Sequence, residues 1–339
     1  MYLVEYLCIT VFALYLTVDT GTASMGDRSR IFVLCVNSCV EANCSDPVNL
    51  TRFFDTQSLG DKLTWWNCTD NCRYDCMWST VQFFQQHLNR TPQFNGKWPF
   101  IRWAGMQEPA SAFFSLLNLV AFLFMLVKLF NDVPSNAPMF QAWIGYSVVG
   151  IVAWMCSVVF HTRDTYLTEK LDYYTAFAAV LYSFYCGLLR IFSGTRNTNN
   201  YYSVSIKLAK YCLSTYFVAH LAYLSFIKFD YGYNMKANVT IGISNSLSWL
   251  GWAIAQWRTY KYPHLKYCVY VVVLAGSLLI FEVLDFPPFG WTFDAHSLWH
   301  LGTSPLPILW TKFVVEDCKL LMRQNECRGN FDDYERKNV

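Results

Sequence analysis

Five polar residues lie in otherwise apolar stretches of the sequence, and their types are those that bind a metal and activate water. They are Ser157, His161, Asp172, His296 and His300. Residues four apart share one face of a helix, as Ser157 and His161 do, and as His296 and His300 do. Three histidines are typical of a catalytic zinc site that leaves a fourth position for water. Zinc lowers the pKa of that water to about 7, so the pattern predicts a Zn²⁺-dependent hydrolase.

The two residues that are not histidines have roles beside such a metal. Asp172 can accept the proton of the water or orient it. Ser157 can hydrogen-bond the water or the oxyanion that develops during the reaction. A single His-x3-His pair is weak evidence, but the joint pattern is stronger because ionisable groups are costly to bury in a membrane. We therefore predict Asp172 and Ser157 as catalytic, and the three histidines as metal ligands.

Other polar residues near these stretches are assigned lesser roles. His220 is interpreted as bonding a neighbouring helix, although contact with the site stays open. Glu282 and Asp285 are candidates for supporting the metal ligands from the second layer of contacts. His87 and His264 fall in predicted loops and are interpreted as ordinary loop histidines.

The composition indicates a membrane protein. The chain has 339 residues, of which 54% are hydrophobic and only 15% are charged, whereas soluble domains carry about 25% charged residues. The net charge of +2 gives no support for nucleic-acid binding.

The predicted fold is an all-α membrane protein, a seven-transmembrane helix bundle with a small disulfide-rich lumenal N-terminal domain. Apolar runs near the length of a span occupy residues 110–130, 140–160, 171–193, 203–226, 239–257, 267–285 and 294–315. The hydrolase core is therefore placed at residues 109–315, and residues 316–339 form a polar cytosolic tail.

The N-terminus resembles a secretory signal. An apolar core at residues 7–18 is followed by small residues, which predicts a signal peptide at residues 1–23 cleaved near Ala23. The alternative is an uncleaved anchor helix. The core is shorter than the ~20 residues that a span requires, which favours the signal.

Residues 24–108 are predicted to form a Cys-rich, glycosylated lumenal domain. Its cysteines are Cys35, Cys39, Cys44, Cys68, Cys72 and Cys76, and its Asn-x-Ser/Thr sequons begin at Asn43, Asn49, Asn67 and Asn89. An even number of cysteines after a signal favours disulfides, although six cysteines allow 15 pairings. A zinc cluster is the competing interpretation of these cysteines.

The orientation follows from a lumenal N-terminus and seven crossings, which place the C-terminus in the cytosol. The predicted lumenal loops carry only Arg163, Lys170, Lys228 and Lys236, and the other loops and the tail carry more basic residues. This asymmetry agrees with the positive-inside rule. All five candidate site residues then belong to the lumenal leaflet.

The pattern Ser157-x3-His161, Asp172 and His296-x3-His300 resembles the CREST superfamily of seven-span hydrolases. The resemblance implies a zinc held by the three histidines, with Asp172 and Ser157 near its water. Further blocks extend the likeness over nearly the whole mature chain, among them residues 72–78, 96–100, 107–111, 160–164, 229–234 and 285–288.

Those blocks are similar to the post-GPI attachment to proteins factor 3 family, the branch that remodels GPI-anchor lipids. The resemblance to this family implies that the protein removes the unsaturated sn-2 acyl chain from the phosphatidylinositol of GPI-anchored proteins. The product would be a lyso-GPI. The substrate rests on this resemblance alone. A ceramidase-like amide hydrolase and a non-catalytic seven-span receptor or folding factor for GPI-anchored proteins stay open. The dibasic Arg336-Lys337 near the C-terminus resembles a retrieval signal, so the expected location is the Golgi or endoplasmic reticulum membrane.

Overall fold

The computed structural model describes residues 25–193 and 201–337, without the side chains of residues 193, 201–203, 282–283 and 327–337. The predicted signal segment and the basic side chains at the C-terminus lie outside these described parts.

Four helices build the N-terminal cap, which we define as residues 25–108. They are α1 (Arg30–Asn43), α2 (Pro47–Thr56), α3 (Leu59–Leu63) and α4 (Cys68–Leu88). Each begins at a residue whose side chain accepts a backbone N–H of the first turn, which satisfies a donor that the helix itself cannot pair. These N-cap residues are Ser29, Asp46, Ser58 and Asn67.

Three disulfides fasten α1 to α4. The pairs are Cys35–Cys76, Cys39–Cys72 and Cys44–Cys68. The pairing is nested, because the partner number falls as the first number rises along two antiparallel helices. The disulfide interpretation is thereby supported over the zinc cluster: the sulfurs of Cys44, Cys68 and Cys72 do lie close together, but all six cysteines are already bonded in pairs.

The rest of the described chain is helical as well. The helices are α5 (Pro109–Asp132), α6 (Phe140–Thr162), α7 (Tyr166–Ser193), α8 (Tyr201–Ala222) with a π-helical turn (Tyr223–Ile227), α9 (Tyr231–Tyr260), α10 (Leu265–Leu284), α11 (Ala295–Thr303) and α12 (Leu306–Lys337). In the described residues, β structure is limited to isolated bridges such as Phe94 with Lys97. The all-α prediction is confirmed.

Among the described helices, fewer have the length and hydropathy of a membrane span than the seven that the sequence predicts. Only α5, α6 and α7, among the described helices, are long and apolar enough to cross a membrane, and α10 adds a shorter apolar stretch (Leu265–Phe281). A helix covers each of the seven predicted runs, and the seventh run is divided at Pro305 into α11 and α12. Polar residues such as Asn234, Asn238 and Asn245 lower the hydropathy of α9. The seven-span count therefore stays a prediction.

A core of large aromatic side chains holds the bundle together. Trp143 of α6, Trp249 of α9 and Phe313 of α12 are almost fully buried, and the rings of Trp143 and Trp249 stack with their centroids 6.2 Å apart. Close by, Arg190 of α7 forms a buried ion pair with Asp317 of α12. His264 lies in the loop before α10, as predicted, and its ring is 3.5 Å from the same carboxylate, so this loop folds onto α12.

Candidate metal centre and active site

Two helix ends bring the three histidines together. His161 is the penultimate residue of α6, and His296 and His300 occupy the first two turns of α11. The start of α11 is fixed by Asp294, which caps it and exchanges hydrogen bonds with Ser297 in a capping box. One ligand nitrogen from each histidine lies within 4.8 Å of the other two.

The ring nitrogens fit a metal. His161 Nε2 is buried and has no hydrogen-bond partner, which is costly in a protein interior unless another ligand is bound. The Nε2 atoms of His296 and His300 lie only 2.9 Å apart. Three neutral imidazoles form the donor set of zinc sites that keep one position open.

Asp172 and Ser157 join the histidines from two further positions. Ser157 lies one turn before His161 on α6, and its hydroxyl is 3.1 Å from that of Ser115 on α5. Asp172, near the start of α7, is close enough to His161, His296 and Ser157 to interact with them electrostatically. The structure thus brings together all five residues singled out in the sequence.

Glu108 is a site residue that the sequence analysis missed. It is the N-cap residue of α5 and is only 4% exposed. Its Oε2 lies 2.7 Å from His161 Nδ1, and its Oε1 accepts a 2.6 Å hydrogen bond from Lys97 Nζ. Lys97 also pairs with Asp164 at 2.9 Å. In the sequence, Glu108 directly precedes Pro109 and the first apolar run. This isolated charge is the feature by which the sequence could have indicated Glu108.

The charge on Glu108 determines which nitrogen of His161 is free. Burial alone would raise the pKa of Glu108, but Lys97 and His161 outweigh burial and hold that pKa well below its usual range. An ionised carboxylate can only accept hydrogen bonds. His161 Nδ1 therefore donates, and Nε2 keeps its lone pair for the centre of the histidine cluster.

Comparison with known proteins places the chain in a family. The profile of the Per1-like family matches residues 58–318. The chain belongs to the Per1-like family. A "GPI-specific phospholipase A2-like PGAP3" from Cricetulus griseus is 42% identical over 321 residues, which cover 94% of this chain and 98% of the relative.

Two further relatives have descriptions that also refer to GPI. A Danio rerio protein with the same description is 44% identical, over 90% of this chain and 94% of its own length. A Drosophila melanogaster "Post-GPI attachment to proteins factor 3" is 37% identical, over 86% and 88%. The resemblance to the post-GPI attachment to proteins factor 3 family is confirmed.

In this Per1-like chain, α5 also holds α11 in place. Asn118 Nδ2 donates to the His300 backbone oxygen at 2.7 Å, and the Thr303 hydroxyl donates to the same oxygen at 3.0 Å. The rings of Trp154 and His300 pack edge to face, with their centroids 5.2 Å apart. These contacts fix the helix that carries two of the histidines.

His220 and Asp285 make their hydrogen bonds away from the three histidines. His220 bonds Asn234 of the neighbouring helix α9 at 3.2 Å, as the sequence favoured. Asp285 accepts hydrogen bonds from Trp98 and Gln93. It therefore holds the cap against the end of α10, and its assignment as a support for the metal ligands is wrong. The Glu282 side chain lies outside the described residues.

Proposed function

We propose that this chain is a zinc-dependent hydrolase that removes the sn-2 acyl chain from the phosphatidylinositol of GPI-anchored proteins. The observation that carries the proposal is the convergence of three imidazoles, of which His161 and His300 are buried and His296 is partly buried, with Asp172 and Ser157. The substrate is proposed because relatives that align over most of both chains are described as GPI-specific phospholipase A2-like.

His161, His296 and His300 would hold the metal. Zinc bound there would supply a Lewis acid for the ester carbonyl and an activated water as nucleophile. Asp172 lies beside two of these histidines, where a carboxylate can take the proton of the attacking water. It then returns that proton to the glycerol oxygen as the ester bond breaks, so that a fatty acid and a lyso-GPI result.

Ser157 is placed to stabilise negative charge on the carbonyl oxygen. Its hydroxyl can donate one hydrogen bond, and its neighbour Ser115 at 3.1 Å restricts its rotation. A donor held in place before the reaction stabilises a developing oxyanion without reorganising. Glu108 contributes indirectly, because it fixes the ring orientation of His161.

The cap supports a lumenal location for the site. Three disulfides require an oxidising compartment, which supports a lumenal cap in the Golgi or endoplasmic reticulum. The cap contacts the histidine end of the bundle through Glu108, whose Oε2 lies 2.7 Å from His161 Nδ1 and whose backbone N donates to His161 O at 2.9 Å. The site therefore faces the lumenal leaflet, where GPI-anchored proteins lie.

The test is remodelling in cells that lack this protein. His161→Ala, His296→Ala and Asp172→Asn should each leave unsaturated sn-2 chains on GPI anchors, as measured by mass spectrometry of the released lipid. His87→Ala is the matched control, because His87 is exposed and its ring stacks on Phe83 of the same helix. Full remodelling by both histidine variants would refute the proposal. Cleavage of ceramide, but not of GPI lipid, by the purified protein would favour the amide hydrolase instead.

A further inference from the structure

A groove opens at the end of the bundle opposite the histidines. It has a volume of about 340 Å³ and lies between α5, α10 and α12. Lys128, Lys312 and Lys319 line it together with Tyr267. Lys128 is 20 residues beyond Glu108 along α5, which at 1.5 Å per residue is about 30 Å, the thickness of a bilayer core.

The charges in the groove leave one lysine uncompensated. Lys128 pairs with Asp132 at 2.8 Å, and Lys319 pairs with Glu316 at 3.0 Å. The ammonium of Lys312 lies 5.8 Å from the centre of the Tyr267 ring and has no carboxylate partner among the described residues. Because the two ion pairs are partly exposed and within one helix each, they are weak and can be exchanged for a stronger anion.

The polarity of the groove changes in the same direction on two helices. On α5, Phe124 is followed by Lys128 and Asp132 at spacings of four, so all three share one face. On α12, Ile308 is followed in the same way by Lys312 and Glu316.

Both helices run away from the histidine end, since α5 begins at Glu108 and α12 follows α11. Each wall of the groove is therefore apolar toward the middle of the bundle and charged at the far end. A phospholipid has this same order of polarity, from acyl chain to headgroup.

We propose that this groove binds an anionic phospholipid from the leaflet opposite the histidine site. Lys312 contacts the phosphate, Lys128 and Lys319 flank it, and the first part of an acyl chain lies against Phe124 and Ile308. A basic pocket between membrane helices is the usual receptor for such a headgroup. In the proposed orientation this is the cytosolic leaflet, so the bound lipid is separate from the substrate.

The test measures lipid binding by the full-length protein in nanodiscs of phosphatidylcholine. Fluorescent phosphatidylinositol 4-phosphate is the probe. The wild type should bind this probe in preference to labelled phosphatidylcholine. Lys312→Ala should weaken binding about fivefold, the contribution of one basic residue at an anionic membrane surface, and Lys312→Glu should weaken it further. Lys312 is the informative position because its loss leaves no carboxylate unpaired.

Lys210→Ala is the matched control, since it removes an exposed lysine at the same predicted membrane face but on α8. Equal weakening of probe binding by Lys210→Ala would indicate diffuse electrostatic attraction to basic residues at this face, and would overturn the assignment of the lipid to the groove. Equal binding of the two lipids would also overturn it. Soluble inositol phosphate that displaces the probe at matched concentration would identify a free-anion site and overturn the lipid assignment. Thermal unfolding of Lys312→Ala should match that of the wild type. Because the experiment measures binding of the probe, its outcome does not depend on whether the protein hydrolyses GPI lipids.

Discussion

At the scale of single residues, Glu108 connects the cap to the predicted metal site. It accepts hydrogen bonds from Lys97 on one oxygen and from His161 on the other. A carboxylate that holds the second nitrogen of a metal-binding histidine fixes the ring and raises its basicity. Glu108 is therefore a positioning residue, and its effect should appear in metal affinity.

Glu108→Ala should weaken zinc binding by about 10- to 100-fold, the usual cost of losing such a partner. Glu108→Gln should cost less, because an amide oxygen can still accept from His161. Competition with a chelator on the purified full-length protein measures the affinity. Asp164→Asn is the control, since it removes the other acid on Lys97 without touching His161. Zinc affinity of Glu108→Ala equal to that of the wild type would show that the contact does not position the histidine.

The sequence predicts the five central residues but not their supports. Ser157, His161, Asp172, His296 and His300 can be found because helical spacing and residue type carry the signal locally. Their supports lie far away in sequence: Glu108 is 53 residues before His161, Ser115 is 42 before Ser157, and Asn118 is 182 before His300. No local period connects such pairs, so only the packing of α5 against α6 and α11 reveals them.

At the scale of elements, close packing of α5 against α6 sets the site geometry. A Cβ at Gly150 of α6 would lie 2.3 Å from the buried ring of Phe122 on α5. That ring is itself packed against Tyr146, with centroids 5.5 Å apart. The absence of a side chain at Gly150 thus lets the two helices approach, and the same helix pair aligns Ser157 with Ser115.

Gly150→Ala should destabilise the protein by about 1–3 kcal/mol, because the added methyl forces Phe122 out of place. Gly251→Ala is the matched control on α9, where a Cβ meets nothing within 4 Å. The control should be neutral or gain up to about 1 kcal/mol, since alanine favours a helix more than glycine does. Thermal unfolding in detergent compares the two. Equal melting temperatures for both variants would show that the helices can separate without cost.

At the scale of the whole molecule, the cap and the predicted catalytic site occupy the same end. The disulfides lie in the cap, and the cap reaches the bundle through Glu108 with His161 and through Trp98 with Asp285. The sequence predicts this arrangement, because the signal peptide, the cysteines and the distribution of basic residues among the loops all indicate the same orientation. It does not predict the nested pairing, since that depends on α1 and α4 lying antiparallel.

Glycosylation can test both the orientation of the chain and whether the number of membrane spans is odd or even. Asn67 and Asn89 are exposed residues of the cap within Asn-x-Thr sequons, so Asn67→Gln and Asn89→Gln should each remove one glycan. Asp332→Thr places Asn330 in a new sequon in the tail. An odd number of spans puts this tail opposite the cap, and Asn330 should stay unmodified.

Digestion with a glycosidase and gel mobility measure all three variants. A glycan on Asn330 would put both ends of the chain on one side of the membrane and exclude seven spans. Mobility unchanged by Asn67→Gln and by Asn89→Gln would leave the lumenal cap without support. Loss of both cap glycans with an unmodified tail is the outcome expected for an odd number of spans. That outcome would place the histidine end of the bundle at the lumenal leaflet, because Glu108 joins His161 to the cap.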